Sequence, residues 1–241
     1  VYVIYFFGSQ RWWQQPVSKT VQRWIWFFAA SFIAALIFLW PQPSHADLLH
    51  YLFEDAAWMA GHNPYLVAPA DLPQWPIAQL SNWQFVSSAN GPARFLLLSP
   101  LTWLTHNSVV TMVFGYQTVI AIVLWLFLRC LAGLAKLLRA NRPDSLGQLL
   151  LIAWNPLFIF TTMAHGGTDA LMMLFAVGAV LAAIRRRGWL AISLLTISVL
   201  IKYVTVLLVP IVAWFLVQPL PTWRQRWWQL MKYALGSLGL T

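Results

Sequence analysis

Carboxylates and histidines are scarce in this chain, and two short segments contain the candidates for chemistry. Asp47 is followed by Glu54 and Asp55, about two turns later on the same predicted helix, and the second segment contains His165 and Asp169. A positioned carboxylate can act as a general base that takes the proton of an attacking hydroxyl group. No zinc-ligand spacing, P-loop or glycine-rich dinucleotide motif accompanies these residues. The residue types therefore favour acid–base chemistry, without a metal or cofactor.

Two cations are candidates for binding a phosphate group. Lys202 directly follows the short apolar run 189–201, which is a predicted membrane helix. Its ammonium group is therefore expected just below the membrane surface on the outer side. A cation inside a membrane indicates function, and lysine binds phosphate as a point charge. The long side chain could equally reach water by snorkelling, and the sequence leaves both interpretations open. Arg94 is a second outer cation that could share the phosphate.

Each acidic candidate also has a purely structural interpretation. Ser44-His45-Ala46-Asp47 fits a capping box, in which Asp47 would only start a helix. Glu54 and Asp55 are expected to be solvated residues on the polar face of that helix. Asp169 stands in the first turn of a predicted helix, where it would interact favourably with the helix dipole.

The elements that must position these residues are membrane helices. Hydrophobic residues make up 60% of the 241 residues and charged residues only 9%, against about 25% in soluble domains. The mean hydropathy is +0.67. The fold class is therefore expected to be all-α, a multi-pass membrane helical bundle of about seven spans. The predicted spans are 24–40, 109–137, 148–164, 169–184, 189–201, 203–217 and a segment that opens near residue 227.

The net charge of +9 comes from short loops, which argues against nucleic acid as a partner. Lysine and arginine occur in alternate loops, the distribution that keeps such loops in the cytoplasm. This topology requires that 93–105, which Pro100 interrupts, is not a span, and we expect a helix at the membrane interface there. All five histidines and every acidic residue except Asp144 then lie outside.

The segment 41–108 is predicted to be a long first outer loop. Residues 46–60 have apolar and polar side chains on opposite arcs at the helical period, so an amphipathic surface helix is expected there, apolar side towards the membrane. The chain starts at Val1 rather than a methionine and stops at Thr241 within an apolar segment. We therefore expect residues 1–241 to be a single membrane module of a longer protein, truncated at both ends.

The first outer loop resembles a known enzyme family. Residues 47–51 (Asp-Leu-Leu-His-Tyr) and 61–65 (Gly-His-Asn-Pro-Tyr) are similar to the first-loop signature of the polytopic GT-C glycosyltransferases. The similarity is to the bacterial branch that uses polyprenyl-phosphate sugars and resembles mannosyltransferases. Asn90-Gly91-Pro92 resembles the next element of that family, which usually has an aromatic residue where Asn90 stands.

The second half of the chain carries more of the same resemblance. Asn155-Pro156-Leu157, the loop 165–171, the basic turn 185–187, Lys202-Tyr203 and Pro210 follow one another as in that family. Each motif alone is weak, but three of them share the same predicted side of the membrane. Pro156 should kink its helix, and Asn155 either has a functional role or satisfies the backbone that the proline frees.

The resemblance implies a GT-C fold and the transfer of one sugar from a polyprenyl-phosphate-linked lipid donor to a glycan or glycolipid acceptor. The location would be the bacterial cytoplasmic membrane, with the active site facing its outer (periplasmic or extracellular) side. Asp47 would be the catalytic base of an inverting displacement, while Lys202 and Arg94 would hold the donor phosphate. The expected cavity-lining residues are His165, Asp169, Tyr51, Trp58, Asn63 and Tyr65.

Two other function classes remain open at this point. A secondary transporter would also place polar groups near broken helices, although it should show an internal repeat, and none is visible. A non-catalytic membrane scaffold related to GT-C enzymes would tolerate the loss of Asp47.

Overall fold

The computed structural model describes residues 16–38, 47–105, 108–138 and 146–237. Over these ranges the regular elements are helices, as expected from the sequence. Two short 3-10 helices, Pro69–Asp71 and Tyr203–Leu208, lie between them. The α-helices are α1 (Lys19–Leu36), α2 (Asp47–Met59), α3 (Pro76–Leu80), α4 (Pro92–Leu98), α5 (Pro100–Leu104), α6 (Val109–Leu138), α7 (Leu146–Ala153), α8 (Pro156–Ala164), α9 (Thr168–Ile184), α10 (Gly188–Ile201), α11 (Val209–Val217) and α12 (Trp223–Ser237).

Two segments among the described residues are long and apolar enough to cross a membrane. They are Val109–Leu138 and Gly147–Ala164. At 1.5 Å per residue, a helix of 30 residues is about 45 Å long, which exceeds the roughly 30 Å of a hydrocarbon core. Thr168–Ile184, Gly188–Ile201 and Tyr203–Val217 are apolar but shorter. Length and composition thus support two candidate spans, where the sequence predicted about seven.

Helices α6, α9 and α10 form the centre of the molecule. Tyr116, Ile120 and Leu124 of α6 are fully buried, and they belong to the same apolar cluster as Leu171 of α9. A second cluster joins α9 to α10 and α11 through small side chains, among them Ala179. Small residues let helix backbones approach closely, so α9 and α10 pack against each other with little space between them.

Helix α2 lies within one residue of its predicted bounds at each end, but its surroundings differ from the prediction. The apolar arc is buried as expected, with Leu48 and Phe53 at 0% exposure. Glu54 and Asp55, predicted to be solvated, are also buried, and so is His50 on the same polar arc. The prediction of a surface helix with a solvated polar face is therefore wrong, because protein covers α2 on both sides.

The segment 93–105 is not a span, in agreement with the sequence. It forms the two short helices α4 and α5, which meet at Ser99. Arg94, Phe95 and Leu98 of α4 are buried against neighbouring helices. Protein contacts, rather than the membrane interface alone, therefore hold this segment.

The sequence predicted a kink at Pro156, and the structure shows a break between two helices there. Helix α7 ends at Ala153 and α8 begins at Pro156, and the Asn155 side chain accepts a hydrogen bond from the backbone N–H of Phe158 at 3.2 Å. Asn155 is thus the N-cap of α8, which agrees with the structural interpretation of this residue.

Candidate active site

The turn between α8 and α9 is built on two glycines with left-handed backbone. Gly166 has φ +79° and Gly167 has φ +53°. A Cβ on Gly166 would lie 3.1 Å from the Leu48 Cα, and one on Gly167 would lie 2.3 Å from the Ile120 Cγ2. The turn can therefore rest directly on the start of α2 and on α6. This close approach brings His165 and Asp169, on either side of the glycines, next to Asp47.

Asp47 stands at the first position of α2 with its carboxylate held on one side. The indole N–H of Trp83 donates to Asp47 Oδ1 at 2.9 Å. The other oxygen, Oδ2, lies 3.9 Å from Nδ1 of His165. The Asp47 and His165 side chains are 39% and 44% exposed, so a solute can reach both.

Lys202 occupies the position where α10 ends. Its backbone is extended (φ −151°, ψ 122°), and its Nζ donates to Asp169 Oδ1 at 2.5 Å. The two side chains are 38% and 72% exposed. An exposed ion pair contributes about 0–1 kcal/mol, so another anion can displace Asp169 from the lysine at little cost.

A cavity of about 340 Å³ lies beside these residues, between α2, α8 and α9. Asp47, Tyr51, His165 and Asp169 are among its lining residues, together with Thr161 and Thr168. Lys202 is not itself a lining residue, but its Nζ contacts the lining residue Asp169. Burial raises the pKa of the Tyr51 phenol above its ordinary value, so this side chain remains a hydrogen-bond donor. Over the described residues, no three His, Cys, Asp or Glu side chains are grouped as metal ligands.

Three of the residues expected to line the cavity are not part of its lining. Trp58 stacks on the ring of Phe95 at a centroid distance of 5.5 Å, and Tyr65 meets the same ring edge-on at 5.8 Å. The side chain of Asn63 accepts a hydrogen bond from the backbone N–H of Tyr65 at 3.0 Å. The Gly61–Tyr65 motif thus forms a turn with an aromatic cluster beside it.

Arg94, expected at the donor phosphate, lies fully buried in a cluster of charges. Its Nη1 donates to Glu54 Oε2 at 2.7 Å, and its Nη2 donates to Asp55 Oδ2 at 3.2 Å. Nη2 also donates to the backbone carbonyl of Tyr51 at 2.9 Å. The guanidinium group therefore faces protein carboxylates, and Arg94 is not among the residues that line the cavity.

Further polar side chains complete this buried cluster. His50 Nε2 lies 3.2 Å from Glu54 Oε1, and Asn90 Nδ2 donates to Glu54 Oε2 at 3.2 Å. The hydroxyl of Ser99 donates to Asp55 Oδ1 at 3.0 Å. Each oxygen of the two carboxyl groups therefore has a polar side chain within 3.2 Å.

The pKa values of the two buried carboxyl groups shift in opposite directions in this environment. Burial raises the pKa of Asp55 to about 7, although the charge of Arg94 opposes the rise. Burial alone would also raise the pKa of Glu54, but the hydrogen bond with His50 and the charge of Arg94 outweigh it. The pKa of Glu54 is therefore lowered. The two carboxylates hold the pKa of Arg94 above its ordinary value against the effect of burial.

The segment before Arg94 connects this cluster to the end of α10. The backbone N–H of Gly91 donates to the carbonyl of Ile201 at 2.9 Å. A Cβ on Gly91 would lie 2.0 Å from the carbonyl oxygen of Leu200, so only glycine fits. The sequence singled out Asn90-Gly91-Pro92 as a motif, but nothing in it pointed to this contact. The sequence also gave no signal for the hydrogen bond from Trp83 to Asp47.

Comparisons with known proteins place the chain in a family. No curated protein and no solved structure matches it significantly. The model of the MptA_B family, described as "Alpha-(1->6)-mannopyranosyltransferase, N-terminal domain", matches residues 2–218. The chain therefore belongs to the MptA_B family of mannosyltransferases, and the cavity beside Asp47 is the candidate active site of a glycosyltransferase.

Proposed function

We propose that the protein transfers one mannosyl unit from a polyprenyl-phosphate-linked donor to a hydroxyl group of a glycan or glycolipid acceptor. The observation that supports this most is the convergence of three distant segments on one cavity. Asp47, His165 and the Asp169–Lys202 pair supply a candidate base, a neighbouring imidazole and a cation with an exchangeable partner. A GT-C-type displacement requires a base for the acceptor hydroxyl and a group that stabilises the charge of the departing phosphate.

In this mechanism Asp47 accepts the proton of the acceptor hydroxyl through Oδ2. The hydroxyl oxygen then attacks the anomeric carbon of mannose, and the bond from that carbon to the phosphate oxygen breaks. The polyprenyl phosphate departs with the electron pair of that bond. Because the hydroxyl attacks from the opposite face, the anomeric centre is inverted. The indole of Trp83 fixes the other carboxylate oxygen, and His165 lies close enough to orient the acceptor or Asp47 itself.

Lys202 would stabilise the charge that develops on the leaving phosphate. A phosphate oxygen replaces Asp169 as its partner, and this contact strengthens as the breaking bond leaves a second negative charge on the departing polyprenyl phosphate. Asp169 is then available to accept a hydrogen bond from a sugar hydroxyl in the same cavity. Arg94 has no part in this step, since two buried carboxylates already hold its guanidinium group.

The membrane arrangement we propose is a multi-pass bundle with the cavity on the outer side. Helix α9 starts at the cavity with Thr168 and ends at the basic turn 185–187, about 26 Å away along its axis. Basic loops remain in the cytoplasm, which favours an outer location for the opposite end.

The test uses the purified full-length protein reconstituted in vesicles with a mannan-type acceptor. We expect transfer of radiolabelled mannose from mannosyl-phosphoryl-polyprenol and no transfer from a water-soluble nucleotide-linked mannose. Transfer from the nucleotide sugar in the absence of any polyprenyl phosphate would overturn the proposed donor.

The proposed orientation has its own test, in sealed cells carrying Cys130→Ala. His62→Cys, at an exposed position of the first loop, should react with a membrane-impermeant thiol reagent from outside. Arg186→Cys, at the exposed basic turn, should react only after the cells are opened. The reverse pattern would place the cavity on the cytoplasmic side.

A further inference from the structure

We propose that a basic pocket at the end of the molecule away from the active site binds the headgroup of an anionic phospholipid. The pocket lies between α1 and α6 and has a volume of about 670 Å³. Its cationic lining residues are Lys19, Arg23, Arg129 and Lys136, and Trp26 and Trp125 are its aromatic ones. The proposal goes beyond the transferase function and does not depend on it.

The charges of this pocket have no counter-charge in the described part of the chain. No carboxylate is among the lining residues. The ion pairs between described residues all involve Asp47, Glu54, Asp55 or Asp169, which belong to the buried cluster or to the cavity. Four cations around one concave surface repel one another, so a bound anion would stabilise the arrangement.

Arg129 is pre-positioned for such an anion. Its Cζ lies 4.8 Å from the ring centroid of Trp26 and 5.9 Å from that of Trp125. The two indoles contact each other edge to face at 5.2 Å. A guanidinium group held against aromatic faces keeps its hydrogen-bonding edge available, and this planar edge matches two oxygens of a phosphate group.

The position of the pocket identifies the phosphate as that of a lipid. The pocket runs beside α6, the longest candidate span, and its wall changes from cations to the apolar Phe27, Ala30 and Leu149. Phe27 is 57% exposed, so it offers apolar surface to an acyl chain. Tryptophan beside lysine and arginine is typical of the headgroup level of a membrane. Basic pockets between membrane helices bind anionic headgroups in this way.

The experiment measures lipid binding to the purified, delipidated full-length protein in an uncharged detergent. Phosphatidylglycerol is titrated, with phosphatidylcholine of the same acyl chains and inorganic phosphate as separate arms, and the bound lipid is counted by native mass spectrometry. Saturable binding is expected for phosphatidylglycerol alone. Because each cation near a headgroup contributes about 1 kcal/mol, Arg23→Gln/Arg129→Gln should weaken it about 30-fold.

The matched control is Arg224→Gln/Lys232→Gln, which removes the same charge from exposed positions of α12 and should leave binding unchanged. Lys19→Gln/Lys136→Gln is a second test pair at exposed positions near helix ends. It retains the arginine–tryptophan contacts, so it tests the charges if the first pair does not fold. Equal binding of phosphatidylcholine, displacement of the lipid by inorganic phosphate, or unchanged binding in a folded test pair would overturn the proposal.

Discussion

Helix α2 carries two groups of charges, and they differ in almost every physical respect. At its start, Asp47 lies 3.9 Å from His165 in an open cavity, and both side chains are about two-fifths exposed. Two turns later, Glu54 and Asp55 are 1% and 0% exposed, and Arg94 holds both. The same residue types thus serve two purposes on one helix. Exposure to the cavity separates Asp47, the carboxylate that we propose as the base, from the two buried carboxyl groups.

The energetics of ion pairs explain this division. Breaking a buried ion pair by removing one partner typically costs about 3–5 kcal/mol, whereas an exposed pair contributes about 0–1 kcal/mol. The cluster of Arg94 with Glu54 and Asp55 is therefore suited to fixing α4 against α2. The Asp169–Lys202 pair is suited to opening when a substrate arrives. A site that must exchange partners cannot be built from the first kind of contact.

The buried cluster also holds the open site in shape. Arg94 donates to the carbonyl of Tyr51, one turn after Asp47, and Gly91 donates to the carbonyl of Ile201, the residue before Lys202. The segment from Gly91 to Arg94 therefore touches both halves of the candidate active site. A disturbance of the cluster should reach the cavity through these two backbone contacts.

The largest expected effect comes from Asp47→Asn. Asparagine can accept the hydrogen bond of Trp83 but cannot accept a proton, and a positioned base accelerates a reaction about 100- to 10,000-fold. Mannosyl transfer by the full-length protein should fall by about that factor, with donor binding and thermal unfolding nearly unchanged. The control is Asp71→Asn, an exposed acid outside the cavity that only closes a turn on Ala68. Near-normal transfer by Asp47→Asn would leave Asp47 as a helix-starting residue only.

Arg94→Gln tests the other side of the comparison. It leaves two buried carboxyl groups without their cation, so the free energy of unfolding should fall by about 3–5 kcal/mol. A lower midpoint of thermal unfolding would show this, and Arg224→Gln, at an exposed position, is the control. A variant with unchanged stability but weaker donor binding would contradict a structural role. It would instead support the prediction that Arg94 binds the donor phosphate.

Lys202→Met should act on donor binding rather than on stability. Loss of one charge-assisted contact costs about 1.5–3 kcal/mol, which is roughly a 10- to 150-fold weaker affinity. The exposed pair with Asp169 contributes little to folding, so the unfolding midpoint should stay close to that of the native protein. Titration of the donor lipid measures the effect, with Lys232→Met as the control. Unchanged affinity would show that Lys202 does not bind the donor phosphate and only pairs with Asp169 at the surface.

The buried cluster should also make stability depend on pH. The folded state holds the proton of Asp55 up to about pH 7, whereas the unfolded chain releases it near pH 4. This contribution is complete below about pH 4 and is lost as the pH rises to 7, by at most about 1.4 kcal/mol per pH unit. The lowered pKa of Glu54 acts in the opposite sense, since its contribution is lost as the pH falls.

Asp55→Asn removes the first of these contributions and leaves the second. The unfolding midpoint of the variant should therefore fall less than that of the native protein between pH 4 and pH 7. Parallel profiles of the two proteins would mean that Asp55 does not hold its proton in the folded state.

The local geometry of the candidate site could be predicted from the sequence. The capping box predicted at Ser44 lies outside the described residues. A helix around Asp47, a turn at Gly166-Gly167, a disturbed helix at Asn155-Pro156 and the end of a helix before Lys202 were all expected, and all are present. Each depends on the conformational preferences of a few adjacent residues, which act over one or two turns of chain. The motifs that resembled a mannosyltransferase family also agree with the family match.

Burial and long-range pairing were decided only by the tertiary structure. Glu54 and Asp55 were expected in solvent because helical periodicity shows one apolar face and cannot show a second covered face. Their partner Arg94 lies 40 and 39 residues away in sequence, and Trp83 lies 36 residues from Asp47. A hydrogen bond between such distant residues depends on how whole helices pack, and local sequence carries no measure of that. For this reason the sequence identified the residue types of the site, while only the packing separated the cavity from the buried cluster.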